Sequence, residues 1–243
     1  MRIFKWSYYM PFKLSYPSLF LSTLATIFTL GILALPVIKP TPVAIKPIVT
    51  PAVTIPAAPL IKTFTVNGIT VHVANYDITT MNVDVIVNAA NKALPWPAGG
   101  VCKAIYLAAD PAKLNPWVKE NVPVNANENR IELGEAIASP SFDLAQFGIK
   151  HIIHTAGPDA RIEEPVEAIY DAYANSLLLA DSLNAQSIAF PAISIGIFAC
   201  DKQEVAEYAI EAITDIAPTT NIKTIYLLSL DAEYFAICEQ LLS

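Results

Sequence analysis

The stretch Val85–Ile86–Val87–Asn88–Ala89–Ala90–Asn91, followed eight residues later by Gly99–Gly100–Val101, decides the fold. The apolar run from Val83 to Val87, broken only by Asp84, has the look of a strand buried on both faces. A polar Asn-Ala-Ala-Asn segment at its carboxyl end, then paired glycines opening a helix, is the strand-turn-helix arrangement of an α/β sheet. Paired glycines let the backbone approach a ligand, and the N–H groups of a helix's first turn favour an anion such as a phosphate.

Working outward, the same alternation continues in both directions. Ile69, Val71 and Val73 alternate with Thr70 and His72, as in a half-exposed strand. Helices are expected at Val101–Ala109 and Asn115–Glu120, and a strand at Ile149–Thr155. Val166, Ile169, Tyr170, Tyr173, Leu177 and Ala180 recur every three or four residues and mark one face of a helix over 164–183. Ser187–Pro191 reads as a strand, Lys202–Ile216 as a helix, Ile222–Leu228 as a strand and Ala232–Leu242 as a final helix. Strands alternating with helices imply α/β class with a mixed, largely parallel sheet covered on both faces.

Ligands of such sheets collect where strands end and glycine turns lead into helices. Besides the Asn88–Gly100 segment, His154–Thr155–Ala156–Gly157–Pro158 and Pro191–Ala192–Ile193–Ser194–Ile195–Gly196–Ile197–Phe198 occupy such positions. Each alone is a weak signal, because strand-to-helix turns need glycine for geometry anyway. The three together, in this order, point to one site.

Charge is distributed unevenly. Residues 1–62 hold six basic residues (Arg2, Lys5, Lys13, Lys39, Lys46 and Lys62) and no acidic one. The remainder keeps 9 of the 15 basic residues against all 22 acidic ones, a formal charge of −13. A surface that acidic repels a polyphosphate backbone, so no nucleic-acid partner is expected. Cys102, Cys200 and Cys238, with His72, His151 and His154, match no zinc spacing, and no structural metal is expected.

The N-terminal part reads differently. Between Lys13 and Lys39, residues 14–38 carry no formal charge, and Pro17 and Pro36 bracket an unbroken run of 18 residues, Ser18–Leu35. As a helix this run would be roughly 27 Å long, close to the thickness of a bilayer's hydrocarbon core. We therefore expect residues 1–35 to form a basic tail and a hydrophobic helix that anchors the chain in a membrane. The slight excess of basic residues before the helix places the rest of the chain on the non-cytoplasmic side. A cleaved secretory signal is the alternative, which would leave the protein secreted. Its apolar core would normally be shorter and followed by a small-residue cleavage site. Residues 36–61 include seven prolines between Pro36 and Pro59 and no glycine, which suits a semi-rigid extended spacer. The folded domain is expected at 62–243.

These residues carry a resemblance. Tyr76–Asp77–Ile78–Thr79, Val85 through Asn91 and Gly99–Gly100–Val101 resemble the opening of the macro domain, an ADP-ribose-binding module. His154–Pro158, Tyr173–Ala174–Asn175–Ser176–Leu177 and Ser187–Pro191 look like its later motifs, in the right order. The resemblance implies a three-layer α/β/α sandwich, with ADP-ribose as ligand and no cofactor. By this likeness Asp77 would accept a hydrogen bond from the adenine amino group, with Ile78 beside it; the alternative is a turn aspartate capping Thr79. Asn91 would contact the distal ribose and, in an enzyme, act in catalysis, while Asn88 would pin the loop through backbone hydrogen bonds. Gly99, Gly100, Val101 and Cys102 would line the diphosphate on one side, and Ser194, Ile195, Gly196, Ile197 and Phe198 on the other. Phe198 would cover the distal ribose or else pack in the core. His154 reads as a hydrogen-bonded strand-end residue rather than a catalyst. Leu230 stands where some relatives place an aromatic ring against adenine.

Several positions depart from the family pattern. Pro95–Trp96–Pro97–Ala98 precede only two glycines, Lys103 replaces a glycine, and Ala199 ends the second loop where glycine is usual. Cys102 takes the place of the aspartate that hydrolytic members use beside the asparagine. A carboxylate can position water and accept its proton, whereas a thiol near its ordinary pKa of about 8.5 is mostly protonated at neutral pH. Three functions remain open: binding of ADP-ribose or mono-ADP-ribosylated proteins, divergent hydrolysis of ADP-ribosyl or O-acetyl-ADP-ribose esters, and a scaffold that no longer binds. Cys102 and Cys200 are expected to be two unrelated buried thiols; a disulfide between them across the two loops is the alternative if the domain lies outside the cytosol.

Overall fold

The computed structural model describes residues 61–94, 99–162 and 164–243. The anchor helix and proline-rich spacer expected before Ile61 lie outside the described residues, as do Pro95–Ala98. Among the described residues no helix is long and apolar enough to cross a membrane.

A seven-stranded sheet forms from β1 (Ile61–Val66), β2 (Ile69–Ala74), β3 (Val85–Ala90), β4 (Ala136–Pro140), β5 (His151–Ala156), β6 (Ser187–Pro191) and β7 (Thr224–Leu228). Its order is β1-β2-β7-β6-β3-β5-β4. The pairs β2–β7, β7–β6, β6–β3 and β3–β5 are parallel, and the outer pairs β1–β2 and β4–β5 are antiparallel. The helices are α1 (Gly100–Ala108), α2 (Pro111–Asn121), α3 (Ala168–Ser182), α4 (Lys202–Ile216) and α5 (Ala232–Leu242).

Side-chain alternation along β3 assigns the layers. Val85 and Val87 pack with Ile169, Tyr173, Leu177, Val205 and Phe235 of α3, α4 and α5. Ile86 points the other way and packs with Ile105, Tyr106, Leu114 and Val118 of α1 and α2. Each such aliphatic side chain contributes roughly 1.5–3 kcal/mol on burial, so β3, apolar on both faces, is held centrally. The expected sandwich with a mixed, largely parallel sheet is present among the described residues.

Two edge strands were not legible. β1 turns into β2 through Asn67 (φ 49°) and Gly68 (φ 85°), the left-handed pair of a tight hairpin. That Asn-Gly dipeptide was the available signal. β4 is short and small-residued, and its alternation is too weak to stand out. Elsewhere boundaries move by a few residues: the helix expected over 164–183 begins at Ala168, and the strand expected from Ile149 begins at His151.

Asp84 ties the entrance of the central strands together. Its Oδ2 accepts from the backbone N–H groups of Gln186 (2.8 Å) and Ser187 (3.1 Å), and Oδ1 pairs with Lys150. A polar residue thus sits inside an apolar run because it joins β6 to β3 at the end opposite the glycine turns.

Candidate functional site

The three glycine-bearing turns converge at the carboxyl ends of β3, β5 and β6. They enclose a cleft of about 250 Å³ whose walls include Asn91, Gly99, Gly100, Val101, Cys102, Gly157, Ser194, Gly196, Ile197 and Phe198. Nine of the expected site residues are thereby brought together. The other three are not on its walls: Asp77 is exposed, Ile78 is buried among Met81 and Val83, and Ile195 packs against the opposite core.

The loops approach closely. A Cβ built on Gly99 would lie 3.1 Å from Ile197 Cδ1, so the two walls touch at the cleft. A Cβ on Gly157 would fall 2.3 Å from Ser194 Oγ and 2.4 Å from Ile193 Cγ2, which no real side chain could occupy without displacement. Ser194 itself has φ 66° and Ala199 φ 55°. Left-handed backbone at a residue with a Cβ costs of order 1 kcal/mol, a strain that glycine in place of Ala199 would relieve.

α1 begins at the cleft without a side-chain cap, its N-cap being Gly99. α2, α4 and α5 are instead capped by Asp110, Asp201 and Asp231. The first-turn N–H groups of α1 have no intrahelical acceptors and point positive dipole ends at the cleft. Ser194 is buried, and its hydroxyl has no hydrogen-bond partner among the described residues. Open N–H donors at a helix start suit an anion, while the Ser194 hydroxyl is enclosed beside Gly157.

Asp77 caps a short 3₁₀ turn: its Oδ1 accepts from Thr79 N–H at 2.9 Å and Thr79 Oγ1–H at 2.8 Å. The capping alternative is therefore realised, and it uses one oxygen of the two. Asn91 Oδ1 accepts from the N–H groups of Ala93 (3.0 Å) and Leu94 (3.1 Å), holding the loop while the residue lines the cleft. Lys103 is exposed on α1 and is not on the cleft wall, and Leu230 is 77 % exposed.

Beneath α1 lies a buried polar group. Asn88 and His154 are neighbours in the β3–β5 register, and Asn88 Nδ2 lies 3.0 Å from His154 Nδ1. His154 Nε2 lies 3.0 Å from Ser139 Oγ, which donates to Pro140 O. The network is self-consistent when Asn88 donates to Nδ1 and the imidazole carries its proton on Nε2. Asn88 thus pins its loop through a histidine, not through the backbone as expected. His154 is a strand-end residue away from the cleft wall, as the sequence suggested.

Burial pushes the His154 pKa down to about 4. The folded-state value lies below the ordinary one of about 6.5, so protonation favours unfolding. Stability is complete above that ordinary value and falls as pH drops from it towards 4, by up to ~3 kcal/mol. Denaturant unfolding at pH 7, 5.5 and 4 measures this. His154→Gln should flatten the profile, and an unchanged slope would assign the loss to other groups.

Cys102 is 9 % exposed, and burial pushes its thiol up to about 11, opposed by a hydrogen bond from Asn88. All three cysteines are free thiols. The pairing of Cys102 with Cys200 is not found: Cys200 Sγ instead donates to Pro158 O at 3.4 Å. Cys102 sits in the first turn of α1 and lines the cleft, while Cys200 follows the Ser194–Phe198 loop and is not on the described cleft walls.

Sequence reasoning missed Arg161. It lines the cleft, with its guanidinium carbon 5.7 Å from the Phe198 ring centre and its fork held by Asp159. It follows the second turn, His154–Pro158, by three residues in an aperiodic stretch, and its only signal was a cation close behind a strand end. Beneath the cleft Tyr173 OH donates to Pro191 O (3.1 Å), so α3 fixes the end of β6 from which the Ser194–Phe198 loop departs.

Comparison with known proteins gives a consistent result. A family model described as Macro domain matches residues 87–209. The chain is 37 % identical over 153 residues to an ADP-ribose glycohydrolase of Archaeoglobus fulgidus, covering 61 % of this chain and 79 % of the relative. It is 39 % identical over 170 residues to an O-acetyl-ADP-ribose deacetylase of Klebsiella pneumoniae, covering 69 % and 93 %. Among solved structures it is similar to the Oceanobacillus iheyensis macrodomain with ADP, at TM-score 0.65 and 28 % identity, covering 76 % of this chain and 95 % of that one.

Proposed function

This chain belongs to the macro domain family, and on that footing we propose that its cleft binds ADP-ribose, free or attached singly to a protein. One observation carries the preference for binding over chemistry. The described cleft walls offer backbone N–H groups, an unpartnered hydroxyl, an amide and a cation, but no carboxylate or imidazole to take a proton from water. The lone acidic hydrogen there belongs to Cys102, whose thiol stays protonated at neutral pH because burial pushes its pKa to about 11. On this reading the diphosphate lies between the first turn of α1 and the Ser194–Phe198 loop. The distal ribose then lies between Asn91 and Phe198, and adenine near the unused oxygen of Asp77.

Calorimetric titration with ADP-ribose, with AMP as control, tests the reading. We expect micromolar affinity, weakened about tenfold by Asp77→Ala as one hydrogen bond to a charged acceptor is lost. No heat and no thermal shift at millimolar ADP-ribose would reject binding and leave the scaffold reading.

Divergent ester hydrolysis is the second reading, favoured by the activities named for relatives at 37–39 % identity. It requires turnover of an ADP-ribosyl or O-acetyl-ADP-ribose ester that is lost on Asn91→Ala. We also propose that residues 14–38 hold the domain at a membrane; release of the full chain from membranes by alkaline carbonate would exclude an inserted anchor.

A further inference from the structure

Among the described residues lining the cleft, Arg161 alone carries a formal charge. Its side chain is 54 % exposed, so burial does not hold it in place. Asp159 does. Nε–H donates to Asp159 Oδ1 at 2.8 Å, a terminal N–H donates to Oδ2, and the backbone N–H of Arg161 donates to Oδ1 at 3.0 Å. Asp159 is steadied in turn, since its own N–H donates to Glu164 Oε2 at 2.9 Å and Glu164 pairs with Lys92, the residue after Asn91. Ala160 N–H donates to Phe198 O at 2.9 Å and clamps the arginine's loop to the Phe198 loop.

A guanidinium has five N–H donors in a rigid plane, and Asp159 engages two of them. The other three have no acceptor among the described residues. A charge held by a carboxylate on one edge, open on the other and set beside an aromatic ring is a preformed reader of a planar oxygen acceptor. On the proposed placement the diphosphate already has the first turn of α1 to donate to it.

We propose that Arg161 is a specificity-determining residue that donates to the carbonyl oxygen of an acyl ester carried by the distal ribose. This rests on the proposed placement of that ribose between Asn91 and Phe198. The ester comes from a small acid such as acetate or from a glutamate side chain of a protein, and both present the same carbonyl. Unmodified ADP-ribose has no such group and leaves the open edge of the fork to water.

The test compares the full chain in mild detergent with its Arg161→Ala and Arg161→Lys variants. Four probes are titrated: ADP, ADP-ribose, O-acetyl-ADP-ribose and a peptide ADP-ribosylated on glutamate. If an ester is cleaved, KM from initial rates replaces the dissociation constant for that probe. Arg161→Ala should weaken the acylated probes about tenfold and leave ADP and ADP-ribose within about twofold, while the melting temperature falls by a few degrees because Asp159, whose side chain is 10 % exposed, loses its partner. The acylated probe that loses more is the one the arginine reads. Arg161→Lys, which keeps the charge and loses the fork, should recover only part of the loss. Equal weakening of all four probes would place Arg161 on the diphosphate and overturn the proposal, as would no weakening of any. Absence of ADP-ribose binding by the unaltered chain would instead refute the placement on which it rests.

Discussion

Cys102→Asp should raise turnover of ADP-ribosyl esters by at least about a hundredfold while leaving ADP-ribose affinity within a few-fold. The expectation follows from what the native residue lacks. With its pKa raised to about 11, the thiol is ionised in only about one molecule in ten thousand at neutral pH, and it cannot accept a proton from water. A carboxylate at the same position would line the same cleft, at the first turn of α1, beside Asn91. Partial burial would raise its pKa from the ordinary carboxylate range, the direction that makes a general base effective near neutrality. General base catalysis contributes about 10²–10⁴ in rate. Burying the carboxylate costs stability, of order 1–3 kcal/mol, offset by the Asn88 side chain already facing residue 102. Release of ADP-ribose from O-acetyl-ADP-ribose, with a melting curve as control, measures both. An unchanged rate at retained affinity would show that residue 102 does not decide between binder and hydrolase.

Gly157→Ala should reduce ADP-ribose affinity more than tenfold and lower the melting temperature by several degrees. The added Cβ falls 2.3 Å from Ser194 Oγ and 2.4 Å from Ile193 Cγ2, and Ile193 is fully buried, so relief requires repacking Ile193 and pushing Ser194 towards the cleft. Overpacking of this kind costs about 1–3 kcal/mol. It also pushes the Ser194–Phe198 loop, which forms one wall of the cleft, out of position. Gly196→Ala is the matched control, since a Cβ there meets nothing within 4 Å. Its stability should change by less than about 0.5 kcal/mol. If Gly157→Ala binds and melts like the unaltered chain, the loops yield more easily than their spacing implies.

These two substitutions mark the boundary between local and long-range information. The alternation of Val85, Ile86 and Val87, the helical spacing from Ile169 to Ala180, and the order of the three glycine turns are local patterns. They were enough to fix the α/β class, the parallel centre of the sheet and which turns meet, while the nine residues named around the cleft came from the likeness to the macro domain. β1 and β4 escaped because an edge strand has one neighbour to satisfy and imposes little on its own composition. Asp77 escaped differently. Its residue type fits both an adenine acceptor and a turn cap, and only the position of Thr79 showed that one oxygen is already used.

By itself the sequence determined which turns meet, because hydrophobic periodicity dictates which residues each element must bury, and the β-α alternation then brings the carboxyl ends of the strands to one edge. Only the tertiary structure decided what each polar side chain does there. Asn88 faces His154 because parallel register sets them side by side, and Cys200 bonds Pro158 O instead of pairing with Cys102. Arg161 reaches the cleft because Asp159 holds its fork and the Ala160 N–H ties its loop to Phe198 O. Hydrogen bonds and close contacts between residues distant in the chain depend on positions to within a few tenths of an ångström, and no local pattern carries that information.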